Sequence, residues 1–136
     1  MRNKTPSLHP GEELYWAVGD GELERVRELL QQGAPLEWRN ENELTPLMGA
    51  AMGGHEEVVD EMLARGTCVD AVDKAGWTPL HRAAYMGRRA VVSRLLTAGA
   101  DKGVKSEKGK TALDMARKWG HEECAALLTL TIHAFK

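Results

Sequence analysis

The sequence predicts an all-α solenoid of four stacked helix–turn–helix units with β-turn tips, capped at both ends. Three observations lead to it. First, an offset of 33 residues brings the chain into register with itself: Thr45 with Thr78 and Thr111, Leu47 with Leu80 and Leu113, Gly54 with Gly87 and Gly120, and Gly66 with Gly99. Second, each unit carries start and stop signals for two short helices. Third, helices this short are marginal alone in water, so their apolar faces are buried only when units stack. At 136 residues the chain has the length of one folding domain. Its units are expected at about 7–39, 40–72, 73–105 and 106–136 without insertions between them.

The first unit repeats Leu14, Ala17, Gly21 and Gly33 one period before Leu47, Ala50, Gly54 and Gly66. It lacks a Thr-Pro start, having Glu12 and Glu13 there, and its second helix is charged through Glu22, Glu24, Arg25, Arg27 and Glu28. That is the composition of a polar N-terminal cap, whose outer face has no neighbour. The second unit opens on Thr45, Pro46 and Leu47, but Glu43 stands where a turn glycine is expected and predicts a strained turn. In the third unit Asp73 to Trp77 reads as a turn, Thr78 as a helix N-cap and Pro79 as the first helical residue, where its missing N–H is harmless. Gly87 breaks that helix, while Val91, Val92, Leu95 and Leu96 follow at helical spacing until Gly99. Ala83 and Ala84 allow close approach of neighbouring first helices, and Arg82 is expected to run its stem along the helix to a charge at the rim. The fourth unit repeats Thr111, Ala112 and Leu113, then ends on Leu127, Leu128, Leu130, Ile132 and Phe135. A tail so apolar is expected to fold back on the last unit or to be a sticky surface.

The string Gly76, Trp77, Thr78, Pro79, Leu80, His81, Arg82, Ala83, Ala84, with Gly87 and the closing Leu95, Leu96, Gly99, Ala100 and Asp101, resembles an ankyrin repeat and its T-P-L-H-x-A signature. The resemblance covers the chain from about residue 10 to nearly its end. It implies a non-catalytic protein–protein interaction module, an adaptor, scaffold or inhibitor without cofactor or metal. It also implies that His81 bonds to neighbouring turn backbone. Partners of this family usually bind the concave face made by turn tips and first helices. Carried over slot by slot, the candidate partner-binding residues are Leu44 and Met52; Lys74, Trp77, Tyr85 and Met86; and Lys108, Lys110, Lys118 and Trp119. Arg39, Glu41, Asn42, Val72, Ala75, Lys105 and Glu107 occupy the remaining slots. Aromatic residues and methionine amid charge are what interface centres are enriched in. Trp77, on the middle tip, is expected to project and to pack lightly; the alternative has Trp77 and Trp119 covering seams between repeats.

The composition, 43% hydrophobic and 28% charged, is that of a folded globular chain. No apolar run reaches the roughly 18 residues of a membrane span, and the polar start resembles no signal peptide. A cytoplasmic or nuclear location is expected, with Cys68 and Cys124 reduced and buried. The formal charge of -2 conceals a balance of -8 over residues 1–72 against +6 over residues 73–136. Lys74, Lys105, Lys108, Lys110 and Lys118 could therefore serve an acidic or polyanionic ligand, although the acidic half and a sequence pI near 6.2 weigh against nucleic acid. The run Gly99 to Lys105 further resembles myotrophin, which implies sequestration of an actin-capping protein as an alternative. His55-Glu56-Glu57 and His121-Glu122-Glu123 each lack the second histidine of a zinc-protease motif, with Val59 and Ala125 in its place, so helix-start packing is expected of both. Ser93 and Cys124 fall on helices whose periodicity assigns them structural roles. A monomer is expected, with the C-terminal tail as a point of weak self-association.

Overall fold

In a computed structural model, which describes residues 9–130, eight helices follow one another. They are α1 (Pro10–Gly19), α2 (Leu23–Gln31), α3 (Pro46–Gly53), α4 (Glu56–Ala64), α5 (Pro79–Met86), α6 (Arg89–Thr97), α7 (Ala112–Lys118) and α8 (Glu122–Thr129). The odd-numbered helices stack on one another as one layer and the even-numbered helices as the other. Among the described residues there is no strand.

The helix starts follow from local chemistry. Thr45, Thr78 and Thr111 sit in extended backbone, and each hydroxyl accepts the N–H three residues on, from Met48, His81 and Asp114 at 3.2–3.3 Å. The residue at that third position returns a bond to the threonine N–H in every case, which closes a reciprocal box. The first unit, without Thr-Pro, solves the same problem differently: His9 Nδ1 accepts from Gly11 N at 2.9 Å and Pro10 is the first helical residue. Gly54 and Gly87 close α3 and α5 in left-handed backbone, at φ 73°.

Between the layers lies one continuous core. Leu14, Leu47 and Leu80 from the first helices meet Val26, Val59 and Val92 from the second, all at most 1% exposed. Ala17, Ala50, Ala83 and Ala116 are buried on the first helices, which pack on one another, and Ala84, expected with Ala83 to allow that packing, is buried too. One further set of bonds pins each unit to the one before it. His55 Nε2 bonds to Gly19 O at 2.8 Å, Arg88 Nε donates to Met52 O at 2.9 Å and His121 Nε2 bonds to Tyr85 O at 2.9 Å. The two histidines are thus fasteners at helix starts, as expected of them. Across the second helices run ion pairs, Arg27 to Glu61 and Arg94 to Glu56 and Asp60, at 3.1–3.3 Å.

Three expectations need correction. Cys68 is exposed, its backbone N–H donating to Glu37 Oε2, whereas Cys124 is buried and its thiol is pushed up by burial. Arg82 does not snorkel to the rim but binds the carboxylate of Asp73, a side chain only 1% exposed. Trp77 does not project lightly; it is half-buried against the core. Of the apolar tail, Leu127 is half-buried, Leu128 buried and Leu130 exposed, while Ile132 and Phe135 lie outside the described residues. No described helix is long and apolar enough to cross a membrane.

Candidate functional site at the third and fourth turn tips

Each tip is a turn closed by a backbone bond across four residues, from Glu43 N to Asn40 O, Gly76 N to Asp73 O and Gly109 N to Ser106 O, at 2.8–2.9 Å. The first residue of each turn also accepts with its side chain. Asn40 takes the N–H groups of Asn42 and Leu44, Asp73 those of Ala75 and Trp77, and Ser106 that of Lys110. Successive tips are tied by Lys74 N to Asn42 O at 3.1 Å and Glu107 N to Ala75 O at 3.0 Å. The tips thus form a rigid edge beside the first helices.

From the third tip along the first helices, three rings stand in a row. Tyr85, on α5, has Trp77 at 5.3 Å on one side and Trp119 at 5.4 Å on the other, both edge-to-face, a favourable arrangement for aromatic rings. Trp77 also stacks on His81 at 6.0 Å, and the Arg82 guanidinium lies over its indole at 4.4 Å. Asp73 thereby orients Trp77 through Arg82. Trp119, at the C-cap of α7, is 51% exposed. His81 sits beneath, 1% exposed, taking the Thr78 N–H on Nδ1 at 3.1 Å and reaching Lys110 O with Nε2 at 2.8 Å. Its imidazole bonds to neighbouring turn backbone, as the resemblance implied, and burial pushes its pKa down.

The row borders a hollow of about 700 Å³ between the third and fourth units. Six predicted residues line it: Trp77, Tyr85, Lys108, Lys110, Lys118 and Trp119. Leu44, Met52, Lys74 and Met86 do not line it; Leu44 and Met52 are half-buried, Lys74 is exposed, and Met86 is exposed at the end of α5. The lining includes residues absent from the predicted set, notably Arg82, Asp114 and Arg117. For Arg117 the available signal was a cation one residue before a predicted one, on a helix whose partner face sequence spacing alone does not locate. Asp114 is held below the usual carboxylate range, chiefly by the Thr111 N–H at 2.9 Å, with Lys110 and Arg117 adding to the effect. The hollow is therefore an aromatic floor with a cationic wall. A second hollow, of about 630 Å³, opens on the even-numbered helices around Glu56, Asp60, Arg89 and Arg94, and there Arg94 already pairs with both carboxylates. Among the described residues no three His, Cys, Asp or Glu side chains converge to hold a metal ion.

A family model of ankyrin repeats, in three copies, matches residues 14–106, which is more than half of the chain. The chain belongs to the ankyrin repeat family, whose members are generally non-catalytic protein–protein interaction modules. No curated protein matches the chain.

Proposed function

We propose that the chain is an interaction module, of adaptor, scaffold or inhibitor type, that grips a partner protein on the face of its third and fourth tips, with the aromatic row as anchor. The observation that supports this reading is Trp119. A large ring half open to solvent, braced edge-on by Tyr85 and beside a hollow, is the kind of group that carries binding energy at interface centres. Surface aromatics otherwise favour association in solution. The same geometry selects the variant for the test. Trp77→Ala would remove packing against His81, Tyr85 and Arg82 and so confound folding with binding.

Trp119→Ala removes a ring with less to lose in the fold. In parallel affinity captures with wild type and Trp119→Ala, proteins bound through this face are depleted from the variant sample. Purified partners then bind the variant more weakly by about 2 kcal/mol or more. An unchanged set of partners at unchanged affinity would place the interface elsewhere.

A further inference from the structure

Most cations of the hollow differ from those on the second-helix side. On the second-helix side, Arg25, Arg27, Arg65 and Arg94 each reach a carboxylate at 2.8–3.3 Å. Arg82, in the floor of the hollow, is neutralised by Asp73. Lys108, Lys110, Arg117 and Lys118 form no ion pair among the described residues, although all four line one hollow. The carboxylate that faces them, Asp114, is already engaged by the Thr111 N–H. Four cations that form no ion pair with a described residue thus stand beside three aromatic rings.

We infer that the hollow receives an acidic segment of a partner protein, with one aromatic or large aliphatic side chain laid against the Trp77–Tyr85–Trp119 row and carboxylates on Lys108, Lys110, Arg117 and Lys118. The inference rests on the interaction face proposed above. Charge complementarity specifies the acid, and the rings specify the apolar anchor beside it. A protein segment fits better than a nucleic acid for two reasons. The cationic patch is confined to the last unit, whereas residues 1–72 carry a balance of -8 that would repel a polyanion extended along the array. Two of the three rings are already engaged edge-on by Tyr85, so they offer edges and partial faces to a side chain rather than open platforms for successive bases.

The test selects random peptides of about twelve residues, displayed on phage, against the full chain. A peptide synthesised from the enriched set is then titrated at about 50 and 200 mM salt against wild type, Lys110→Glu/Lys118→Glu and Trp119→Ala. Both lysines are exposed, and the bond from Lys110 to His81 uses its backbone oxygen, so the double variant folds; circular dichroism checks this. The expected result is peptides rich in Asp and Glu around an aromatic or large aliphatic residue. Their affinity falls about tenfold or more on charge reversal at low salt, falls less at high salt, and also falls in Trp119→Ala. If enriched peptides lack acidic residues, or ignore the charge reversal while Trp119→Ala weakens them, the interaction face stands and the acidic partner is refuted. Indifference to both variants, or no enrichment at all, refutes both. A thymidine oligonucleotide of about twenty residues is titrated in parallel; binding to it that depends on the same lysines and displaces the peptide would make the ligand a polyanion instead.

Discussion

Glu43 sits at φ 63°, in the left-handed region, where Gly76 and Gly109 occupy the same turn position at 77° and 76°. A side chain there costs about 1–3 kcal/mol, of which glycine's greater freedom in the unfolded chain gives back part. Glu43→Gly should therefore raise stability by about 0.5–1 kcal/mol, read as a higher urea midpoint with an unchanged slope. A lower midpoint would mean that the glutamate makes a compensating contact. His81 gives the second residue-scale outcome. Burial holds its imidazole below the ordinary value of 6.5, and protonation would place a proton on Nδ1, where the Thr78 N–H already donates. The unfolded chain thus takes up the proton first as pH falls. The stability from neutral His81 is whole above about pH 6.5 and declines as the pH drops from there toward the lowered folded value. In His81→Gln, whose amide oxygen can still accept from Thr78, the fall in urea midpoint from about pH 7 to 5 should be shallower than in wild type. Parallel curves for the two proteins would exclude His81 as the source.

At the scale of the element, the third tip and α5 form one unit because Asp73 closes it twice. Its carboxylate takes two N–H groups of its own turn and the Arg82 guanidinium from the next helix. The neighbouring first helices have Gly49 and Met115 in the slot of Arg82, so the bridge belongs to the third unit. Arg82→Met keeps an unbranched stem but leaves a buried carboxylate with only backbone donors, which should cost about 2–3 kcal/mol. It also removes the cation from the indole face of Trp77. Urea unfolding reads the cost, and tryptophan fluorescence reads the change at the ring. A loss under about 0.5 kcal/mol would show that the turn N–H groups alone satisfy Asp73.

Over the whole molecule, position along the array decides what a lesion does. Leu80 and Leu128 are 1% and 2% exposed, so each side chain is equally covered. Yet α5 packs against α3, α6 and α7, whereas α8 has α6 and α7 as its principal neighbours. Leu80→Ala should cost about 2–5 kcal/mol and lower the stability of the whole stack. Leu128→Ala should instead detach the last unit early, seen by hydrogen exchange as lost protection in α7 and α8 while α1 to α4 keep theirs. Uniform loss of protection in both variants would mean a single cooperative block rather than a linear array.

The sequence by itself determined the fold, because its signals act over three or four residues or repeat at a fixed period. Thr78 caps its helix by reaching the N–H of His81, Gly87 ends it through its own backbone, and the 33-residue register forces the leucines of successive units onto one core. It also marked Glu43 as the odd residue of its turn, since the conformation belongs to the turn and not to its neighbours. The hollow was decided by tertiary structure. Whether Trp77 projects or lies down depends on Tyr85 and Arg82, which α5 folds back over it, and whether Arg117 is a helix-end cation or part of a cationic wall depends on the tip of its own unit and the rings of the one before. The contacts of Trp77 cross from a turn to the helix after it, while that of Tyr85 with Trp119 joins residues about one repeat apart, its geometry set by how one unit rotates onto the next, a quantity no local spacing encodes.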